Sequence, residues 1–180
     1  MIFVLAKLAG GIGDPAVRNR GTIGGSVANN DPAACYPAAV LASGATIVTN
    51  LRRIAADDYF KGMFTTALKV GEIITEVQFP IPERGAYVKF DQPASRFSLT
   101  AVFVAQFKNG VRVAATGASN GGVFRWHDAE VALSADFSAR AIAGLIVDRA
   151  GMIADLHGTP AYRANLVKVL TGRAVTAAAL

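Results

Sequence analysis

The sequence predicts an α+β protein, and three features of the chain indicate that fold class. Its 180 residues are 52% hydrophobic, which is enough apolar material for a packed core. The apolar segments of the second half are spaced as consecutive strands, and Asn109-Gly110 is a two-residue hairpin signal between two of them. After residue 127 helix-start signals take over, including Thr159-Pro160. Helices that follow an antiparallel meander are typical of an α+β architecture.

The first half of the chain mixes short helices with short strands. An apolar helix is predicted over residues 2–10. Asp31 is expected to cap a second helix, which begins at Pro32, runs to Ser43 and ends at Gly44. The remaining elements of this half are strands over 45–49 and 51–54, joined in a hairpin about Asn50, a short helix over 57–64, and a strand over 73–79.

The second half begins after a candidate linker, residues 80–85, where two prolines stop the preceding strand. A three- or four-stranded antiparallel sheet is predicted beyond it, with strands over 86–90, 99–107, 111–116 and 123–126. Three helices follow, over 128–133, over 138–148 and from Pro160 onwards. Ser138 caps the middle helix, whose apolar face is expected to consist of Ile142, Leu145 and Ile146.

The charge and cysteine content exclude several classes of function. The net charge of +5 comes from scattered basic residues, so a solvated surface is favoured and no nucleic-acid partner is predicted. Cys35 is the only cysteine, which excludes an intramolecular disulfide and an all-cysteine iron–sulfur site. His127 and His157 lack metal-ligand spacing, so no metal site is predicted. No apolar run approaches the roughly 20 residues of a membrane span, and a cytoplasmic location without membrane insertion is expected.

Residues 18–37 carry the strongest functional signal. Thr22 to Ser26 is predicted to be the end of an extended segment that turns at Gly24 and Gly25. Successive N–H groups in such a turn bind anions, and a capped helix start at Asp31 would lie close by. Together they predict a phosphate or dinucleotide site. A structural turn followed by a capped helix is the alternative, and composition alone favours it.

The string from Val17 to Ala34 resembles the FAD-binding medium subunit of molybdenum hydroxylases, the group that contains aerobic carbon monoxide dehydrogenase and xanthine dehydrogenase. Similarity continues over nearly the whole chain, at residues 57–60, 71–74, 79–80, 87–90, 93–96 and 162–167. The resemblance implies the C-terminal half of a PCMH-type FAD-binding domain over residues 1–82. A small C-terminal domain, an antiparallel sheet packed with helices, would then occupy residues 86–180.

The resemblance also implies a cofactor, partners and a reaction. FAD would be the last redox centre of a three-subunit oxidoreductase, taking electrons from two [2Fe–2S] clusters and passing them to an external acceptor. The partners would be a [2Fe–2S] small subunit and a molybdopterin large subunit, which holds the substrate site. This chain would therefore contain no catalytic residue of its own, because the cofactor does the redox work.

The site residues implied by the resemblance are the glycine string and two further positions. Thr22, Ile23, Gly24, Gly25 and Ser26 would wrap the FAD, and Ile74 would pack near the isoalloxazine. Cys35 stands where the family often has an aspartate, and Asp91 where some relatives have a lysine, with Lys89 two residues earlier.

Family members have a second glycine-rich loop before the region matched here. The resemblance therefore suggests a truncated subunit or one whose N-terminal half is separately encoded, that half then being a further partner. The alternative function is a non-redox remnant that serves as an interaction module of such a complex.

Overall fold

The computed structural model describes residues 2–179, and four short helices occupy the start of this range. They are α1 (Ile2–Gly10), α2 (Pro15–Arg20), α3 (Ile23–Asn29) and α4 (Tyr36–Ser43). Next along the chain are β1 (Thr46–Thr49), β2 (Arg53–Ala55), α5 (Ala56–Tyr59), β3 (Phe60–Gly62), β4 (Thr65–Thr66) and β5 (Ile74–Gln78). An antiparallel sheet of order β2-β1-β5 forms, and β3 pairs separately with β4. The predicted hairpin about Asn50 is confirmed.

A four-stranded antiparallel sheet organises the second half. Its strands are β6 (Arg84–Asp91), β7 (Ser98–Phe107), β8 (Gly110–Thr116) and β9 (Phe124–Arg125), in sequential order. Two helices follow, α6 (His127–Ala135) and α7 (Pro160–Ala178), the second capped by the Thr159 hydroxyl. The predicted meander and the α+β class are confirmed. None of the helices in the described range is long and apolar enough to cross a membrane.

Both faces of this sheet are buried, and they belong to two different apolar cores. On β7, Val102 and Val104 face the core that includes residues of α6 and α7. Ala101, Phe103 and Ala105 alternate with them and face the core built around α4. Strand residues alternate between faces, so a strand that is apolar at every position is covered on both sides. The sheet therefore joins the α4 layer to the C-terminal helices.

Helix α4 begins four residues later than predicted. Asp31 Oδ1 accepts the Ala33 N–H at 2.8 Å, which makes a side-chain turn instead of a helix cap. The carbonyl of Pro32 accepts from Thr116 Oγ1 and from the Gly117 N–H, both at 2.7 Å, at the end of β8. In a helix that began at Pro32, this carbonyl would instead accept an N–H of the next turn. The predicted end is correct, because Gly44 takes the left-handed conformation at φ 62°.

The predicted helix over 57–64 is largely wrong. Only α5 forms, and the chain then turns back through the β3–β4 pair. Asn30 holds this turn, because its Nδ2 donates to the carbonyls of Gly62 at 2.7 Å and Thr65 at 3.0 Å. These partners are more than 30 residues away in sequence, so local propensity gives no sign of them.

The predicted helix over 138–148 is also wrong, because residues 139–144 form turns and residues 145–148 have no regular secondary structure. Its backbone bonds join residues three apart, such as the Ala141 N–H to the Ser138 carbonyl at 3.1 Å. The Lys168 ammonium on α7 donates to the Ala143 carbonyl at 2.6 Å. Of the expected apolar face, Ile142 is buried but Ile146 is 84% exposed.

Candidate functional site

The glycine string forms the first turn of α3 and not the extended-to-turn segment that was predicted. Thr22 is extended (φ −123°, ψ 155°) and is the N-cap, and Ile23 is already helical. The Thr22 hydroxyl oxygen accepts the Gly25 N–H at 2.9 Å, which satisfies one of the unpaired donors of the helix start. A Cβ on Gly25 would lie 3.0 Å from that oxygen, so glycine leaves the cap undisturbed.

A cavity of about 420 Å³ lies beside this turn. The end of α1, the loop into α2, the start of α3, residues 31–36 and residues 96–97 enclose it. Its lining residues are Ala9, Gly10, Ile12, Gly13, Val17, Arg18, Gly21, Thr22, Ser26, Asp31, Ala33, Ala34, Cys35, Tyr36, Arg96 and Phe97. The volume lies in the range of small-molecule and cofactor sites, which is roughly 300–1,000 Å³.

Three of the seven predicted site residues line this cavity: Thr22, Ser26 and Cys35. Ile23, Gly24, Gly25 and Ile74 are not among the lining residues. Gly24 instead faces β5, where an added Cβ would lie 3.9 Å from the Ile74 carbonyl oxygen and 4.0 Å from its Cβ. The two residues of the string that carry hydroxyl groups therefore line the cavity, whereas Gly24 faces Ile74 and Gly25 faces the Thr22 hydroxyl.

Sequence reasoning missed the wall formed by residues 9–13. Gly13 has φ 38°, and a Cβ on it would meet the Phe97 ring at 3.7 Å. Arg18 holds this loop, because its Nη1 donates to the carbonyls of Ile12 at 2.8 Å and Gly13 at 3.2 Å. The glycines at positions 10 and 11 are the signal in the sequence for this wall, because glycine lets a ligand approach the backbone closely.

A second part of the wall, Arg96 and Phe97, comes from the loop between β6 and β7. Arg96 has φ 59°, an uncommon conformation for a residue that is not glycine. The Lys89 ammonium donates to the Arg96 carbonyl at 2.9 Å and to the Gly11 carbonyl at 2.5 Å, and it pairs with Asp91 Oδ1 at 2.6 Å. Lys89 thus links the two loops that contribute these parts of the cavity wall.

Cys35 connects the cavity to a buried polar chain. Its thiol lies 3.4 Å from Ser98 Oγ, and Ser98 Oγ lies 3.3 Å from Tyr87 Oη. Burial raises the pKa of the Tyr87 phenol well above its ordinary value, and the neighbouring Cys35 adds to the shift. Tyr87 is therefore neutral at physiological pH and acts here as a hydrogen-bonding group.

The residues around the cavity fit part of a dinucleotide such as FAD. Gly10 lines the cavity, and a Cβ added to it would meet no atom within 4 Å, so its surface is open to a bound group. Ile12, Val17 and Phe97 offer apolar surface for a flat ring, and Thr22 and Ser26 offer hydroxyls for phosphate or ribityl oxygens. Apolar walls with a few converging polar groups are typical of cofactor sites.

Comparison with protein families matches residues 1–82 to the family described as the FAD binding domain in molybdopterin dehydrogenase. The match includes the glycine string, most of the cavity wall and β5. It does not include Arg96 and Phe97, which line the cavity from the second half of the chain, or Lys89, which donates to the Arg96 carbonyl.

Two curated proteins are similar to most of the chain. The glyceraldehyde dehydrogenase medium chain of Sulfolobus acidocaldarius is 33% identical over 177 residues, which cover 91% of this chain. The nicotine 6-hydroxylase medium subunit of Paenarthrobacter nicotinovorans is 34% identical over 180 aligned residues and covers 93%. The chain spans 63% and 64% of the lengths of these two relatives.

Solved structures share the fold over nearly all of this chain. Reconstituted CO dehydrogenase from Oligotropha carboxidovorans superimposes with a TM-score of 0.86 at 26% identity, covering 98% of this chain and 67% of that one. Quinoline 2-oxidoreductase from Pseudomonas putida gives a TM-score of 0.81 at 26% identity, covering 99% and 67%.

Proposed function

Because the chain belongs to the family of FAD-binding medium subunits of molybdenum hydroxylases, we propose that it is the flavoprotein part of such an oxidoreductase complex. Electrons released at a molybdopterin centre would reach FAD through [2Fe–2S] clusters and leave to an external acceptor. FAD supplies the redox chemistry, and the protein supplies binding, orientation and electrostatics. In this proposal residues 1–82 and 86–180 are the two domains of the subunit.

The observation that carries the proposal is the cavity beside the first turn of α3. Thr22 and Ser26 would hold the FAD through their hydroxyls. The Thr22 oxygen already accepts from the Gly25 N–H, which leaves its own O–H to donate to a ligand oxygen. Gly24, packed on Ile74, would keep α3 seated on β5 so that the hydroxyls stay at the cavity. Ile23, Gly25 and Ile74 complete the proposed FAD site.

Cys35 would lie against the cofactor with a thiol where the family often has a carboxylate. Its contact with Ser98 fixes the thiol at the cavity wall. A thiol is a weaker hydrogen-bonding group than a carboxylate. The hydrogen bonds to the FAD on this side of the cavity would therefore come mainly from Thr22 and Ser26.

The proposed partners are a [2Fe–2S] small subunit and a molybdopterin large subunit. Two observations support this: the curated relatives are medium chains or subunits, and one superimposed structure is a reconstituted CO dehydrogenase. The four-stranded sheet and its C-terminal helices lie outside the matched FAD-binding family and are the proposed region of contact with the partners.

The test is reconstitution with FAD and the partner subunits. The chain should elute with the complex and carry flavin absorbance. The variant Thr22→Val/Ser26→Ala should reduce the flavin content, whereas Thr176→Val, on the exposed side of α7, should not. Flavin that never associates with the wild-type complex would contradict the proposal. Stable elution with partners but without flavin would indicate the interaction module instead.

A further inference from the structure

We propose that Lys89 is a positioning residue for the cofactor: it holds the two walls of the cavity together and makes no direct contact with the ligand. This inference deepens the proposed function and rests on FAD being the occupant. Lys89 lies on β6, outside the family match over residues 1–82.

The first argument is the number of hydrogen-bond donors. An ammonium group has three N–H donors and no acceptor. Lys89 Nζ has three protein partners, the carbonyls of Gly11 and Arg96 and the Asp91 carboxylate. Its side chain is only 8% exposed. All three donors are therefore used inside the protein, and none is left for a ligand in this arrangement.

The second argument is the position of the three partners. Gly11 belongs to the loop that forms one wall of the cavity, beside Gly10 and Ile12. Arg96 lines the other wall and is 85 residues further along the chain. One buried cation thus bonds to both loops. The Phe97 ring also lies close to Gly13, since a Cβ added to this glycine would stand 3.7 Å from the ring.

The third argument is the conformation of Arg96. A φ of 59° is disfavoured for an L-residue with a bulky side chain and persists only where the surroundings hold it. The Arg96 N–H donates to the Gln92 carbonyl at 2.8 Å, and the Lys89 ammonium donates to the Arg96 carbonyl. Without the ammonium, Arg96 is free to return to a common backbone conformation. Phe97 would then move away from the cavity.

The first experiment titrates FAD into the purified full chain and follows the flavin spectrum and fluorescence. Lys89→Met should raise the dissociation constant about tenfold or more, since it removes charge-assisted hydrogen bonds on both walls. Lys89→Arg, which keeps a buried cation with enough donors, should recover most of the affinity. Lys168→Met is the matched control, because Lys168 donates to the Ala143 carbonyl and neither residue lines the cavity.

The second experiment needs no flavin. Trypsin cleaves after arginine, and the bond after Arg96 lies in the loop that Lys89 anchors. Lys89→Met should speed cleavage at this bond relative to wild type and to Lys168→Met, because a loop is cut when it leaves its folded position. Asp91→Asn, which weakens the same cluster while keeping the cation, should have a smaller effect in the same direction and serves if Lys89→Met does not fold.

The two readouts separate the inference from the function on which it rests. Wild-type protein that binds no FAD, either alone or reconstituted with the partner subunits, would contradict the proposed function, and the cleavage rates would still test the role of Lys89. Unchanged cleavage after Arg96 in both Lys89→Met and Asp91→Asn would overturn the inference. So would a Lys89→Met protein that binds FAD with wild-type affinity.

Discussion

Arg52 and Glu72 form a two-pronged ion pair that closes the small sheet. Arg52 Nε lies 2.9 Å from Glu72 Oε1, and its Nη2 lies 3.1 Å from Oε2. Glu72 also accepts from the Thr49 hydroxyl at 2.7 Å and from the Lys69 N–H at 2.8 Å. Four donors on one buried carboxylate favour its charged form.

Because of this ion pair, the free energy of unfolding is expected to depend on pH. The hydrogen bond from Arg52, followed by the Lys69 N–H, lowers the pKa of Glu72 from its usual 4.5 to about 2. A lowered folded-state pKa stabilises the protein above the unfolded-state pKa, and this contribution is lost as pH falls from about 4.5 to about 2. Glu72→Gln should therefore lower the free energy of unfolding at pH 7, and the difference from wild type should shrink towards pH 2.

Urea unfolding at a series of pH values measures this difference. Glu83→Gln, at an exposed position just before β6, is the control and should change stability little at any pH. A Glu72→Gln defect of equal size at pH 7 and at about pH 2 would contradict the assignment, because most of the contribution of the lowered pKa is lost as the pH falls to about 2.

Two N-caps separate the role of Thr22 in stability from its proposed role in binding. Thr22 caps α3 and Thr159 caps α7 in the same way, each accepting an N–H three residues on, at 2.9 and 3.2 Å. Alanine at either position should cost about 1 kcal/mol of stability. Only Thr22→Ala should also weaken FAD binding, measured by flavin titration. Equal FAD affinity in the two variants would count against Thr22 as a ligand.

Gly117 and Gly151 form a matched pair for steric crowding. Both have positive φ, 80° and 76°, so alanine is strained at each. A Cβ on Gly117 would lie 2.7 Å from the carbonyl oxygens of Ser98 and Leu99, whereas nothing lies within 4 Å at Gly151. Gly151→Ala should cost about 1–2 kcal/mol from backbone strain alone. Gly117→Ala should destabilise the protein clearly more than Gly151→Ala, as measured by thermal unfolding. Equal losses of stability would show that the start of β7 moves aside at no cost in free energy.

Phe103 anchors the sheet to the α4 layer. It is fully buried on the face of β7 that belongs to the α4 core. Phe103→Ala should destabilise the protein by about 3–5 kcal/mol, since it removes a large side chain and leaves a cavity. Leu156→Ala, at a site that is 90% exposed, should change stability by less than about 0.5 kcal/mol. Denaturant unfolding of both variants checks the contrast.

Local sequence signals determined the meander, the hairpin turns and the glycine string. Asn109-Gly110 signals a hairpin, and β7 and β8 do pair there, although Phe107 lies opposite Gly110 and the two loop residues are therefore Lys108 and Asn109. Gly44 ends α4 and Thr159 begins α7 for equally local reasons. The string around Thr22 was distinctive enough to indicate a flavin-binding family, and the family match over residues 1–82 includes it.

Tertiary contacts decided the rest. Helix α4 starts later than predicted because Thr116 and Gly117 donate to the Pro32 carbonyl. The β3–β4 turn forms because the Asn30 side chain donates to the carbonyls of Gly62 and Thr65. The same holds for the site. The sequence by itself predicted Thr22, Ser26 and Cys35 as site residues, and all three line one cavity. Only the folded chain brought Arg96 and Phe97 to the same cavity. Lys89 donates to the Arg96 carbonyl and to the carbonyl of residue 11, and the second of these bonds joins partners 78 positions apart. No local propensity specifies such a contact.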